Sequence, residues 1–198
     1  IGACQRFLRE YAKEDATYFF SPEKAERYLT AVQRFEHVIG TWATKNIVYS
    51  PWQHFIWMNI AGFLSKETGY RRFRLAHVEV GRGNAKSTMA STALLYFLAL
   101  DENTQGNQIA TVASKKDQAR IVLDAARAMA KKAPRFLLEK GVKVLAHSIV
   151  QEESNSVARA LSARDDGLDG LNDVLAICDE LHAMSREVFD VIYSGMSK

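Results

Sequence analysis

The chain has 198 residues, 47% of them hydrophobic and 25% charged, with a formal net charge of +3 and a pI near 8.8. That composition is ordinary for a globular domain with a core of its own, and the mild basicity permits contact with nucleic acid without demanding it. No apolar run is long enough to span a bilayer, and two cysteines without ligand spacing, Cys4 and Cys178, exclude a zinc site and a disulfide framework.

The first segment predicts a helix with Cys4, Phe7, Leu8 and Tyr11 on one face. Ser21-Pro22 opens a second, with serine as cap and proline in the first turn. Its stripe runs through Ala25, Tyr28, Leu29, Val32, Phe35 and Ile39, and Gly40 is expected to end it. Residues 1–45 therefore read as a helical appendage and 46–198 as the main domain. Ser50-Pro51 starts a third helix in the same way. Within it Gln53 has two readings: a surface glutamine beside core tryptophans (Trp52 and Trp57), or a side chain that pairs bidentately with adenine N6 and N7. Arg71, Arg72 and Arg74 also have two readings, a solvated strand edge or a contact to nucleic-acid phosphates.

Leu75 to Val80 is an apolar run expected to be a strand. It stops at Gly81-Arg82-Gly83-Asn84-Ala85-Lys86-Ser87-Thr88, and an apolar helix follows. A small-residue loop closed by Lys-Ser is the form of a phosphate-binding P-loop. Its backbone N–H groups turn inward, its lysine reaches the β/γ-phosphates, and its hydroxyl faces Mg²⁺. The helix adds its positive N-terminal end. The match is imperfect: the pattern wants glycine where Val80 and Ala85 stand. Given a phosphate loop downstream, Gln53 is expected to contact adenine.

The helix after Ser87 is apolar on nearly every face, as a helix buried between a sheet and its neighbours must be. Gln108 to Ala113 predicts a strand. Ser114-Lys115-Lys116-Asp117 has the form of a capping box, and the helix it opens carries Ala119, Val122, Leu123, Ala126 and Met129 on one stripe before Pro134 stops it. Lys131, Lys132 and Arg135 at its end suit the helix dipole or a surface that faces DNA. Short strands are expected at 142–146 and 156–161. The Asp- and Gly-rich loop that follows (Asp165, Asp166, Asp169, then Asp173) reads as turn formers rather than a metal cluster. Val174 to Cys178 is a buried strand that delivers Asp179 and Glu180 at its C-terminal end. Beside a triphosphate the first acid would support the metal shell and the second would orient the attacking water. Ser185 opens a last helix. Strands alternating with helices predict an α/β fold with a mainly parallel sheet, and its ligand is expected at the C-terminal ends of the strands.

Taken in order, Pro51-Trp52-Gln53, Gly81 to Ser87, Val112 to Arg120, Gly167-Leu168-Asp169-Gly170-Leu171 and Asp179-Glu180-Leu181-His182-Ala183-Met184 resemble the ATPase half of tailed-phage large terminase subunits, of the type found in HK97-like phages. The resemblance covers roughly residues 20 to 198. It implies an α/β P-loop NTPase of the ASCE type, a three-layer domain with an N-terminal helical appendage. It also implies a motor that hydrolyses ATP with Mg²⁺ to push double-stranded DNA into a procapsid. The expected partners are DNA, the portal protein, the small terminase subunit and further copies in a ring, with a monomer expected for the domain by itself. No membrane is involved, and the setting is the cytoplasm of the infected bacterial host. The family's nuclease domain lies outside this chain.

The roles implied are these. Lys86 neutralises phosphate charge, and Ser87 with Asp179 holds the metal. Backbone N–H groups of Gly83 to Lys86 cradle the phosphates within the loop Gly81 to Thr88. Glu180 positions water, Gln53 reads adenine and Arg82 senses the γ-phosphate. Arg159 or Arg164 would act in trans on a neighbouring site, and His182 would hydrogen-bond behind the acids. Two other readings stay open. One is a DExH-type helicase or translocase. The other is a nucleotide-binding assembly module with little turnover, which Ala85 permits.

Overall fold

A computed structural model describes residues 2–13, 17–38, 40–101, 105–132, 134–162 and 173–196. They fall into two compact units. One comprises residues 1–34 and 47–80, the other residues 35–46 and 81–198. The division differs from the expected boundary near residue 45, because residues 47–80 pack with the N-terminal helices.

In the first unit, helix α1 (Gly2–Ala12) sets Phe7 edge-on against Phe20 and Phe63, with ring centroids 5.2 and 5.7 Å away. Of the predicted face, Cys4, Leu8 and Tyr11 are exposed, although the Tyr11 ring still meets Phe20 edge-on at 5.6 Å. Strand β1 (Tyr18–Phe20) pairs antiparallel with β2 (Phe63–Ser65); sequence reasoning missed both short strands. Helix α2 (Pro22–Val32) is capped as expected, Ser21 Oγ accepting from the Lys24 N–H at 3.2 Å. It stops at Val32, well before Gly40. The Arg34 N–H turns back to the Ala31 carbonyl, and Phe35, although buried, belongs to the other unit. The apolar spacing runs on through a change of unit, which is why periodicity overshot. Helix α3 (Pro51–Gly62) packs on α2, with Trp57 stacked on Tyr28 at 4.8 Å. At its end the backbone meets Phe20 so closely that a Cβ on Gly62 would lie 2.4 Å from that ring.

Leu75 to Val80 forms no strand among the described residues and is largely exposed. That overturns the expected strand. An extended segment becomes a strand only when a neighbour completes its hydrogen-bond ladder, and hydropathy does not report the neighbour.

The second unit holds a five-stranded sheet in the order β4-β5-β6-β3-β7. Its members are β3 (Gln108–Ala113), β4 (Val142–Val144), β5 (Ser148–Gln151), β6 (Ser156–Ser162) and β7 (Asp173–Cys178). β3 lies between β6 and β7 and is parallel to both, while β4 and β5 add an antiparallel hairpin on the far side of β6. Helices α4 (Lys86–Ala99), α5 (Lys116–Lys132), α6 (Pro134–Leu138) and α7 (Arg186–Gly195) complete it. The fold is thus α/β with a mixed sheet whose centre is parallel. α4 is buried along almost its whole length, as its all-round apolar sequence demands. Ala110, Val112, Leu161 and Ile192 form a core cluster, with Ala176, Cys178, Met184 and Val188 packed against it.

Candidate functional site

Residues Gly81 to Ala85 make a compact turn on the way into α4. Gly83 sits at φ 83°, a conformation that only glycine adopts without cost. The Asn84 side-chain amide staples the loop, Nδ2 donating to the Gly81 carbonyl at 3.1 Å and the Arg82 carbonyl at 3.5 Å. Ala85 holds φ 56°, ψ 30°, a left-handed conformation that costs a residue with a Cβ about 1–2 kcal/mol. Its carbonyl accepts the first helical bond, from the Met89 N–H at 2.9 Å. No side chain caps the helix. The first-turn amides therefore point outward from an end that carries about half a positive charge, with the Lys86 side chain exposed beside them and Ser87 and Thr88 half-buried.

The acids lie at the end of β7. Asp179 continues the parallel ladder, its N–H donating to the Val112 carbonyl at 3.0 Å. Its Oδ1 accepts from the Glu180 N–H at 3.1 Å. Glu180 turns into the left-handed region, φ 54°, ψ 47°, and caps a short 3-10 turn, Leu181–Ala183. That turn brings His182 Nε2 to 3.3 Å from Glu180 Oε2, a contact the motif's spacing did not reveal because it needs the left-handed residue.

Two contacts beyond the helix itself fix the direction of α4, Asn107 on Phe97 and Ser91 on Val122. Near its C-terminus the Phe97 carbonyl accepts from Asn107 Nδ2 at 3.1 Å, just before β3 begins. Near its N-terminus Ser91 Oγ donates to the Ser87 carbonyl at 2.7 Å and to the Val122 carbonyl of α5 at 2.9 Å. α4 therefore runs antiparallel to β3, and it packs against β3 and β7. Its N-terminus, with Lys86 and Ser87, points to the C-terminal edge of the sheet. Asp179 and Glu180 stand at that same edge.

Other candidates are engaged elsewhere. Gln53, in the first unit, is buried, and its Oε1 accepts from both the N–H and the hydroxyl of Ser50, at 2.8 and 2.9 Å: a capping box. Arg72 is held by Glu10 at 2.8 Å and lies over the rings of Tyr18, Phe63 and Phe73, which makes it a packing residue rather than a free strand-edge cation. Arg159 donates to Gln108 Oε1 at 3.3 Å, at the start of β3 and away from the loop that leads into α4. Arg164 and the Asp- and Gly-rich loop lie outside the described residues. Among the described residues no three His, Cys, Asp or Glu side chains cluster as a metal site. Cys178 is half-buried, and burial pushes its thiol up from 9.0 to about 11; it packs against the core cluster as a small apolar residue.

Residues 51–198 match the family described as terminase large subunit, ATPase domain. Among solved structures, the large terminase of bacteriophage HK97 is similar over 87% of this chain, with 24% identity and a TM-score of 0.71. The chain spans 35% of that protein's length. The large terminase ATPase domain of Thermus phage P74-26 is similar over 59% of this chain and 52% of its own, with 21% identity and a TM-score of 0.49. No curated protein matches the sequence.

Proposed function

The chain belongs to the terminase large subunit ATPase domain family, and from that premise we propose that it hydrolyses ATP with Mg²⁺ to drive double-stranded DNA into a procapsid. The observation that carries this reading is the shared edge: the uncapped, lysine-bearing N-terminus of α4 and the two acids after β7 face the same end of one parallel sheet core.

In this reading the amides of Gly83 to Lys86 take up the phosphate oxygens, and the Lys86 ammonium offsets the charge on the β/γ-phosphates. Arg82, exposed on the same turn, senses the γ-phosphate. A hydroxyl and a carboxylate are hard oxygen donors of the kind Mg²⁺ takes alongside phosphates and water, and Asp179 keeps one carboxylate oxygen beyond the bond to the Glu180 amide. Ser87 and Asp179 would hold the ion, which when bound neutralises phosphate charge. Glu180 orients the attacking water and accepts its proton, steered by His182. Gln53 reads adenine by giving up a bond to Ser50, since its carbonyl already accepts two.

The family's whole machine supplies the rest of the proposal: a ring of copies, a portal and a small subunit, working in the host cytoplasm. No described helix is long and apolar enough to cross a membrane. One observation favours a binding module with little turnover, namely the strain at Ala85 within the loop. Titration with a fluorescent ATP analogue followed by a phosphate-release assay separates the two. Binding and release that both collapse in Lys86→Ala support the motor; binding without release in the parent supports the module.

A further inference from the structure

A second surface lies at the other end of the same unit. The segments 36–38 and 40–46 are tied to each other: Glu36 bridges Asn46, the His37 N–H donates to the Lys45 carbonyl at 2.9 Å, and the Thr44 N–H donates to the His37 carbonyl at 3.0 Å. Thr44 is held at φ 73°. For a β-branched residue that is a true outlier, and such strain persists only where the surroundings over-determine it. What the loop presents is Trp42, 62% exposed, with Lys45 Nζ 4.9 Å above its ring.

The loop is moored to the C-terminal end of α5. Lys132 Nζ donates to the His37 carbonyl at 3.2 Å, and Phe35 lies 5.5 Å from Phe136 of α6. Lys131, Lys132 and Arg135 are exposed there. The acids nearby are Glu36, half-buried, and Glu139, which meets Arg135 at 3.3 Å as an exposed i,i+4 pair; such a pair is worth little and exchanges readily. The charge balance of this surface is positive, and it is fixed by backbone on both sides.

We propose that Trp42, Lys45, Lys131, Lys132 and Arg135 form a contact surface for the sugar–phosphate backbone of double-stranded DNA. Cations on a rigid frame position a duplex by its phosphates, and an apolar ring among them packs against deoxyribose. α5 runs antiparallel to β3, as its N-terminus follows that strand directly and Thr111 Oγ1 donates to the Ala119 carbonyl. The surface therefore lies at the edge opposite the phosphate loop, where DNA does not compete with nucleotide. The inference rests on the packaging reading for its choice of partner.

The test is fluorescence anisotropy of a labelled random-sequence duplex against the full chain, between about 50 and 200 mM salt. DNA-independent phosphate release is measured in parallel. Lys131→Ala combined with Arg135→Ala removes two phosphate contacts, so the log–log salt slope falls by about 2 and affinity at low salt by about tenfold. Trp42→Ala weakens binding with the slope unchanged, and both variants keep parental phosphate release. Parental DNA affinity and slope in both variants, or no duplex binding by the parent, overturns the surface even if hydrolysis is normal. Loss of self-association in Trp42→Ala with DNA binding intact also overturns it, in favour of a protein partner. Should the parent bind DNA as described yet release no phosphate, the surface stands and the motor reading falls.

Discussion

Ala85 is where the loop departs from the usual pattern, and it is also where the backbone is strained. The left-handed conformation at φ 56° penalises a Cβ by about 1–2 kcal/mol, whereas glycine there would cost about 0.4–1 kcal/mol through a freer unfolded chain. Strain is the larger effect, so Ala85→Gly is expected to raise stability by roughly 0.5–1 kcal/mol, read as a higher urea midpoint at unchanged m. A lower midpoint would mean the loop is not left-handed at Ala85. The sequence marked the residue as unusual but could not say what it strained. Cys178 gives the residue-scale pH dependence. Burial holds its thiol protonated up to about 11, against 9.0 ordinarily. The folded chain thus binds the proton more tightly than the unfolded one between those values, and stability falls as pH rises through that window. Urea midpoints should drop on moving from neutral to strongly alkaline buffer, and Cys178→Ala should remove part of the drop. At neutral pH a thiol reagent should label exposed Cys4 before the half-buried Cys178, whose raised thiol keeps its thiolate scarce. Equal rates would contradict the burial.

At the scale of elements, legibility followed locality. Ser21-Pro22 and Ser50-Pro51 announce helix starts because cap and first turn are chemistry between near neighbours, and both helices begin there. The strand ends that carry Gln108 and Asp179 were legible for the same reason: apolar runs punctuated by polar residues. β1 and β2, three residues each, exist only through pairing with each other across more than forty residues, whereas β4, expected at 142–146, pairs locally with β5 in a hairpin. The strand expected at Leu75 to Val80 is the converse, correct hydropathy without a ladder. The Gly62 backbone shows how tightly one such long-range junction is packed. A Cβ there would meet Phe20 at 2.4 Å, where Phe20 also packs on Phe7 and Phe63. Gly62→Ala should therefore destabilise by about 1–3 kcal/mol, the usual cost of overpacking, measured by denaturant unfolding. A variant as stable as the parent would show that the ring moves aside freely. The capping box has a parallel consequence for the proposed site: Gln53 serves helix α3, its Oε1 accepting from Ser50 twice, so the proposed adenine contact would compete with a bond that the triplet alone did not reveal.

For the whole molecule, the proposed catalytic groups fall in the unit formed by residues 35–46 and 81–198, at the edge where three parallel strands end. The lysine-serine loop and the acids stood out by residue type and order, and the rule for parallel sheets set both at the C-terminal edge. What the sequence left out is the means: the direction of α4 is fixed by Asn107 on Phe97 and Ser91 on Val122. Family membership makes ATP hydrolysis the natural use of that edge, and the central claim is that both motifs serve one triphosphate. Steady-state phosphate release by the parent and by Glu180→Gln tests this most directly. The account predicts that the parent turns over and that Glu180→Gln, with its fold and nucleotide affinity intact, falls by about 10²–10⁴-fold, the usual contribution of a positioned base. A Glu180→Gln chain that releases phosphate as fast as the parent would contradict it.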